Sequence, residues 1–298
     1  MNILLTGSNG FLGKSLHSYF KKTHEVYSLN RSHSDFNFDI STIIPLFDTY
    51  KFDLVIHCAG KAHFIPKSNH ENNLFNEINV LGTENLLFGL EKIEPPKFFV
   101  FISSVSVYGL IEGEFINESF PLIAIDPYGK SKIEAESIVK DWCNKNKVIC
   151  TILRLPLIVG TNPPGNLGLM INAIKKGFYF NIGGGKAKKS MVLQSDVANY
   201  LLKAAEVGGV YNLTDGYHPS FFELSQCIAN QVGKKHSFNI PRLIVKLLAI
   251  IGDVLGSKFP INTNRLSKIN STLTFDDSYA RMKFGWKPNR VLDGFKLL

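Results

Sequence analysis

A serine, a tyrosine and a lysine stand in this chain at spacings suited to proton transfer. Ser103-Ser104-Val105-Ser106-Val107-Tyr108-Gly109 closes an apolar run, and Asp126-Pro127-Tyr128-Gly129-Lys130-Ser131-Lys132 opens a helix-like one. Asp126 is an N-cap residue by type and Pro127 suits the first helical position, so Tyr128 falls in the first turn. Lys132 follows four residues later on the same face. A free tyrosine ionises near pH ~10, and a cation one turn away plus the positive end of a helix both favour the phenolate. The spacing therefore predicts a lowered pKa for Tyr128. Such a phenol exchanges a proton with a sugar hydroxyl or ketone while hydride moves to or from a nicotinamide. Ser104, at the carboxyl end of its strand, is placed to hydrogen-bond the same oxygen. Singly, Tyr128 and Lys132 read as a helix-start aromatic and a solvated charge.

What joins them into a site is a phosphate cradle near the amino terminus. Gly7-Ser8-Asn9-Gly10-Phe11-Leu12-Gly13 follows an apolar strand and opens a helix. Glycines there let the backbone approach a pyrophosphate, and the helix start offers N–H donors and a positive dipole, so Gly7, Asn9, Gly10, Phe11, Leu12 and Gly13 are candidate cofactor contacts. The second strand ends Leu29-Asn30-Arg31-Ser32. An acid there would bind the ribose 2′-hydroxyl of NAD, whereas Arg31 suits a 2′-phosphate. NADP(H) is thus expected to be preferred, with NAD(H) the alternative. Asp39, with Ile40 beside it, is placed to accept a hydrogen bond from the adenine amino group; the plainer reading of Asp39 is a helix cap before Thr42.

These residues need a scaffold, and the first half of the chain reads as a doubly wound α/β sheet. Apolar runs at Asn2–Thr6, Val26–Leu29, Leu54–His57, Phe98–Ser103 and Ile149–Leu153 alternate with helical patterns at Phe11–Phe20, Leu74–Leu90 and Tyr128–Asn144. That is the signature of parallel strands covered on both faces. After Arg154 the texture changes. Residues 161–166 and 181–185 read as loops, with short helices and isolated strands such as Val210–Leu213 beyond. The division expected is a dinucleotide-binding domain over 1–160 and a smaller α/β substrate domain over 161–298, interleaved with the first.

Composition fits an enzyme core: 298 residues, 45% hydrophobic and 19% charged, with 33 Lys and Arg against 25 Asp and Glu, a net charge of +8. The basic residues occur as scattered pairs such as Lys175-Lys176 and Lys234-Lys235, without interleaved aromatics, so a nucleic-acid partner is not expected. Cys58, Cys143, Cys150 and Cys227 have neither disulfide-framework nor metal-ligand spacing. No signal peptide is read at the start, so a cytoplasmic protein is expected. The run Leu243–Leu255 is too short to span a bilayer and carries Lys246 and Asp253, which favours a packed helix over a membrane-surface one.

The chain resembles an extended short-chain dehydrogenase/reductase of the NAD-dependent epimerase/dehydratase family. The matching elements are Thr6-Gly7-x-x-Gly10-x-x-Gly13, His57-Cys58-Ala59-Gly60, Asn79-Val80-x-Gly82-Thr83, Ser103-Ser104-x-x-Val107-Tyr108-Gly109, Tyr128-x-x-x-Lys132 and Phe284-Gly285-Trp286-Lys287-Pro288. The resemblance implies a Rossmann-like fold and a nucleotide-sugar substrate, UDP-linked first of all. It implies that Tyr128 is the acid/base, that Lys132 also holds the nicotinamide ribose and that Ser104 binds the reacting oxygen. Cofactor contacts are implied at Cys58, Ala59, Gly60, Asn79 and Ser103. Related dehydratases carry an Asp-Glu pair directly after the catalytic Ser or Thr. Val105-Ser106 stands there instead, which leaves reduction of a 4-keto sugar or 4-epimerisation, the former favoured by Asn30-Arg31. Leu157 occupies a position where many such epimerases place a substrate Asn. For the substrate the resemblance suggests Asn166, Lys189 in place of a diphosphate-binding arginine, Arg265, and Lys61, His63 and Ser106 around the sugar. A homodimer through the helices at 74–90 and 128–144 is implied. A non-catalytic NADP(H)-binding regulator on the same fold is the reading from another class, and it predicts loss of Tyr128 or Lys132.

Overall fold

The computed structural model describes residues 1–62, 68–234, 238–246, 253 and 263–297. Strand β1 (Asn2–Thr6) sends Ile3 and Leu5 into one apolar layer and Leu4 into the other, all three fully buried. The same division recurs in later strands: Phe98, Val100 and Ile102 face one layer, Phe99 and Phe101 the other. Such strands are stable only with helices on both sides, because neither face tolerates water.

The strands in chain order are β1, β2 (Glu25–Asn30), β3 (Phe36–Asn37), β4 (Leu54–His57), β5 (Phe98–Ser104), β6 (Gly113–Ile116), β7 (Ile149–Leu155), β8 (Leu157–Val159), β9 (Phe180–Ile182), β10 (Met191–Leu193), β11 (Gly209–Asn212), β12 (Phe238–Ile240) and β13 (Leu273–Phe275). Seven of them form one parallel sheet in the order β11-β7-β5-β4-β1-β2-β3. The order reverses between β1 and β4, and the crevice beyond their carboxyl ends is the ligand position of this architecture. Helices α1 (Phe11–Phe20) and α6 (Gln194–Val207) pack on one face, with Leu12, Leu16 and Phe20 meeting Val197, Ala198 and Leu201. The other face is covered by α3 (Gly82–Leu90) and α4 (Pro127–Lys145), with α2 (Asn69–Asn76) packed on α4. The chain after residue 160 returns α6 and β11 to this main body. It also supplies α5 (Gly165–Lys176) and α7 (Phe221–Gln231), whose Leu167, Ile171, Leu224 and Ile228 make a second core. The parallel pair β10-β8 adds Val159, Met191 and Leu193 to it, while β12-β9 and β13-β6 carry separate small clusters.

Helix α4 is the element that most directly positions the site. Asp126 Oδ1 accepts from Gly129 N at 3.0 Å and Pro127 occupies the first turn, so the helix begins where its residue types require. Its inward stripe contains two charged residues, Lys132 and Glu136, both nearly sealed from solvent. Glu136 receives Arg154 of β7 through two bonds, 2.7 and 3.0 Å, and the Ser103 hydroxyl at 2.6 Å. The pair fixes α4 against the carboxyl ends of β5 and β7.

Three stretches depart from the sequence reading. The helix expected over 74–90 starts earlier, at Asn69, because Ser68 Oγ caps Glu71 N at 3.2 Å. It is interrupted by a π-turn over Glu77–Leu81, where Gly82 N reaches back to Glu77 O. The supposed loop 161–166 ends in a helix: Gly165 and Asn166 already belong to α5. Within 181–185, Asn181 is buried in β9 and bonded to Ser225 Oγ at 3.0 Å, and only Gly183–Gly185 form a turn. Most of the run 243–255 lies outside the described residues; of the part described, Leu243 and Ile244 are exposed and Val245 is buried. Among the described residues no helix is long and apolar enough to cross a membrane.

Candidate active site

Gly7 has φ +71°, a conformation glycine adopts without strain, and a Cβ there would lie 2.7 Å from the backbone of Ala59. Gly13 lies beneath it, where a Cβ would come within 2.0 Å of Gly7 O. The loop after β1, the start of α1 and the loop after β4 are thereby pressed together. Gly10 caps α1 without a side-chain bond, and in the first turn Gly13 N donates to the Cys58 thiol across the crevice floor shared with the loop after β4. A cleft of about 550 Å³ opens there, lined by Gly7, Asn9, Gly10, Arg31, Asp39 and Ile40 among others. Cys58, Ala59, Gly60 and Lys61 form its opposite wall.

Adjoining it, and sharing Gly10, Cys58, Gly60 and Lys61, is a second cleft of about 560 Å³ lined by Phe11, Leu12, Ser103, Ser104, Ser106, Tyr128 and Lys132. Leu157, which stands where many related epimerases place a substrate Asn, lies in the far wall of this cleft with three residues that motif reading passed over, Pro156, Ile158 and Pro164. The signal for the first two was topological: they follow β7 at the same sheet edge as the other strand-end residues.

Within this cleft Ser104 Oγ accepts from Ser106 N at 3.2 Å and donates to Ser106 Oγ at 3.1 Å, and it also hydrogen-bonds the Tyr128 phenol. The Tyr128 pKa moves opposite to the sequence expectation. Burial raises it, and the Ser104 bond opposes this only in part. Lys132 does not offset the burial because its ammonium is turned away, donating to Ile102 O at 3.0 Å and lying 4.6 Å from the Phe101 ring centroid. Burial lowers the Lys132 pKa to about 8. Among the described residues no acid forms an ion pair with it.

The remaining candidates divide by position. Arg31 is exposed at the first cleft and has no ion-pair partner among the described residues. Its neighbour Asn30 is committed to the glycine turn, donating to Ser8 Oγ at 2.7 Å and accepting from Asn9 N at 3.3 Å. Asp39 lines the cleft, and no helix follows it for the expected cap before Thr42; its Oδ1 closes a turn instead, accepting from Ser41 N and Oγ at 3.1 and 2.6 Å. Asn79 lies behind the wall, where its carboxamide accepts from Lys61 N at 2.7 Å and donates to Lys61 O at 3.2 Å. Ser103 touches the second cleft, but its hydroxyl is given to Glu136. Asn166 is exposed on α5 and Lys189 is half-buried between Pro219 and Leu273; neither lines the two clefts. Burial alone lowers the Lys189 pKa to about 8. His63 and the Arg265 side chain lie outside the described residues.

A glycine-turn cleft at the switch point of a parallel sheet, joined to a pocket holding Ser104, Tyr128 and Lys132, defines a Rossmann-fold enzyme that uses a nicotinamide dinucleotide. Residues 3–214 match the NAD dependent epimerase/dehydratase family, and the chain belongs to it. One curated relative is the N-acetyl-alpha-D-glucosaminyl-diphospho-ditrans,octacis-undecaprenol 4-epimerase of Escherichia coli O157:H7. It is 28% identical over 92% of this chain and 87% of its own. Two solved structures share the fold. The RMD protein of Pseudomonas aeruginosa complexed with NADPH has a TM-score of 0.70 at 22% identity, covering 96% of this chain and 93% of that one. The UDP-glucuronic acid 4-epimerase of Bacillus cereus, in complex with UDP-glucuronic acid and NAD, scores 0.76 at 18% identity, covering 99% and 96%.

Proposed function

We propose that the chain is a 4-ketoreductase acting on a UDP-linked (N-acetyl)hexosamine for surface polysaccharide synthesis, with NADP(H) preferred. The observation that carries this reading is the end of β2. Asn30 is spent on the glycine turn and the next residue is not a carboxylate that could receive a ribose 2′-hydroxyl but Arg31, which lines the cleft with no ion-pair partner among the described residues. An arginine there holds a 2′-phosphate, and such a cofactor exchanges after each turnover. The bound dinucleotide supplies hydride. The chain's part is to place the ketone and to move one proton: Ser104 donates a hydrogen bond to the ketone oxygen, and Tyr128 gives that oxygen its proton as charge develops. A phenol whose pKa burial has raised stays protonated across neutral pH, which suits an acid in the reductive direction. Lys132 holds positive charge beside the nicotinamide ribose, with no ion-pair partner among the described residues and with Glu136 already taken by Arg154. Val105 and Ser106 carry no carboxylate, so elimination of water has no acid and base at this place.

In the same reading the chain beyond residue 160 provides the substrate domain. Lys61, His63, Ser106, Asn166, Lys189 and Arg265 are the contacts read for the nucleotide sugar. The working unit is a cytoplasmic homodimer formed through α2, α3 and α4, where Leu81 and Phe88 are exposed. The second reading is 4-epimerisation, favoured by the Escherichia coli relative, whose name is that of a 4-epimerase.

The test is to identify the nucleotide carried by the purified protein and then supply UDP-linked 4-keto and 4-hydroxy hexosamines while following reduced-nicotinamide absorbance. Net NADPH consumption is expected; sugar interconversion without it establishes the epimerase instead. Tyr128→Phe should abolish either activity and keep cofactor binding, and Arg31→Ala should erase the preference for NADPH. Equal affinity of the unaltered protein for NADPH and NADH overturns the cofactor assignment.

A further inference from the structure

We propose that His57 is a positioning residue, a neutral strut with a one-way hydrogen-bond direction that ties the loops of the dinucleotide cleft to the helix bearing Tyr128 and Lys132. The proposal rests on those two residues being the reacting pair. His57 ends β4, is 1% exposed and is bonded at both ring nitrogens: Thr6 Oγ1 stands 2.6 Å from Nδ1 and Thr83 Oγ1 2.9 Å from Nε2.

The neighbours fix the direction of every proton. Thr83 gives its one hydroxyl proton to the Asn79 carbonyl at 2.6 Å, so toward His57 it only accepts and Nε2 must carry the hydrogen. Nδ1 is then a lone pair that takes the Thr6 hydroxyl proton, and Thr6 Oγ1 is left to accept from Ala59 N at 3.1 Å. The run Ala59, Thr6, His57, Thr83, Asn79 is continuous in one sense. A protonated ring would set two donors against each other at Thr6. Burial and the nearby Lys132 charge hold the ring neutral, with its pKa lowered to about 3.

The two ends of the run give it a purpose. At one end Thr6 precedes Gly7, where a Cβ would meet the Ala59 backbone at 2.7 Å. At the other, Thr83 braces the π-turn at Asn79, whose carboxamide grips both backbone groups of Lys61 and donates to Ser131 Oγ at 2.9 Å. Ser131 Oγ in turn donates to Tyr128 O at 2.8 Å, in the first turn of α4. The cleft that would hold the dinucleotide and the helix that would protonate the substrate are thus joined at Asn79, and one imidazole ties that joint to the glycine turn. A π-turn is itself a costly device met mostly at functional positions.

Four variants and one spectrum test this. His57→Leu and Thr83→Val keep the volume and remove the bonds; each should lower kcat per NADPH-binding site about tenfold, equivalent to about 1.4 kcal/mol of barrier. His57→Gln, which can donate and accept at once, and Thr83→Ser should recover most of that loss. A purely structural role would lower Tm and the number of binding sites but leave kcat per site unchanged, and that result overturns the proposal. If His57→Leu does not fold, Thr83→Val and the spectrum decide. In ¹⁵N-histidine spectra of the unaltered protein, His57 should be the neutral Nε2–H tautomer at every pH from about 5 to 9. A charged ring or an Nδ1–H tautomer there sinks the strut. If the unaltered protein turns over no sugar, the parent reading fails separately, and the tautomer together with NADPH affinity in the four variants still decides the strut.

Discussion

At the residue scale the site depends on two ionisable groups whose surroundings oppose their usual behaviour. Lys132 was read as the cation that would lower the Tyr128 pKa, but its ammonium is sealed against Ile102 O and the Phe101 ring. Spacing four residues apart on a helix specifies a shared face; which way a long side chain turns depends on what covers that face. The burial that lowers the Lys132 pKa to about 8 also has a sign for stability. Between pH 8 and the ordinary lysine value the unfolded chain binds more protons than the folded one, so this residue's contribution improves as pH rises and is a penalty at neutral pH. Lys132→Met should therefore remove turnover yet stabilise the fold at pH 7 by about 1–3 kcal/mol, allowing for the lost bond to Ile102 O. The gain should fade toward pH ~10.5. Urea titrations at pH 7 and 10 check it, and a less stable variant at pH 7 contradicts it.

At the scale of elements, the turn between β1 and α1 carries the strongest constraint. Strand, glycine turn and helix were legible because each glycine has a distinct physical duty, and Gly7 and Gly13 are pressed against Ala59 and Gly7 O as that duty requires. Gly7→Ala forces a methyl group to 2.7 Å from the Ala59 backbone at positive φ. We expect a stability loss of about 1–3 kcal/mol and weakened dinucleotide binding, read by denaturant titration and NADPH fluorescence. Unaltered binding would mean that the turn does not hold the pyrophosphate. The π-turn after α2 was not legible, since residues 74–90 carry a regular helical pattern and the interruption arises from what Asn79 and Thr83 grip elsewhere. The Glu136–Arg154 pair was likewise hidden: Glu136 stands on α4 and Arg154 on β7, and nothing in their spacing announces that they meet.

At the scale of the whole molecule, the dinucleotide site is assembled from β1, β2, β4 and the turns after them, so its occupation should stabilise the main sheet as a unit. At NADPH one hundred times its Kd, a gain of about 2.7 kcal/mol corresponds to a rise in Tm of roughly 4 °C for a chain of this length. NADH at the same concentration should give less. A scanning-fluorimetry series with both nucleotides measures the difference, and equal shifts would remove Arg31 from cofactor choice. The net charge of +8 is then divided between site and surface, with Arg31 and Lys132 in the two clefts and many other cations exposed. By itself the sequence determined the alternation of buried strands and helices, the glycine turn, and the Ser104, Tyr128 and Lys132 constellation. Each of these is set by local periodicity, caps or backbone freedom. Only the tertiary structure decided where Lys132 points, why Tyr128 keeps its proton, what Asn79 binds, and that His57 is locked between two threonines. Those properties come from burial and from partners brought together across the fold.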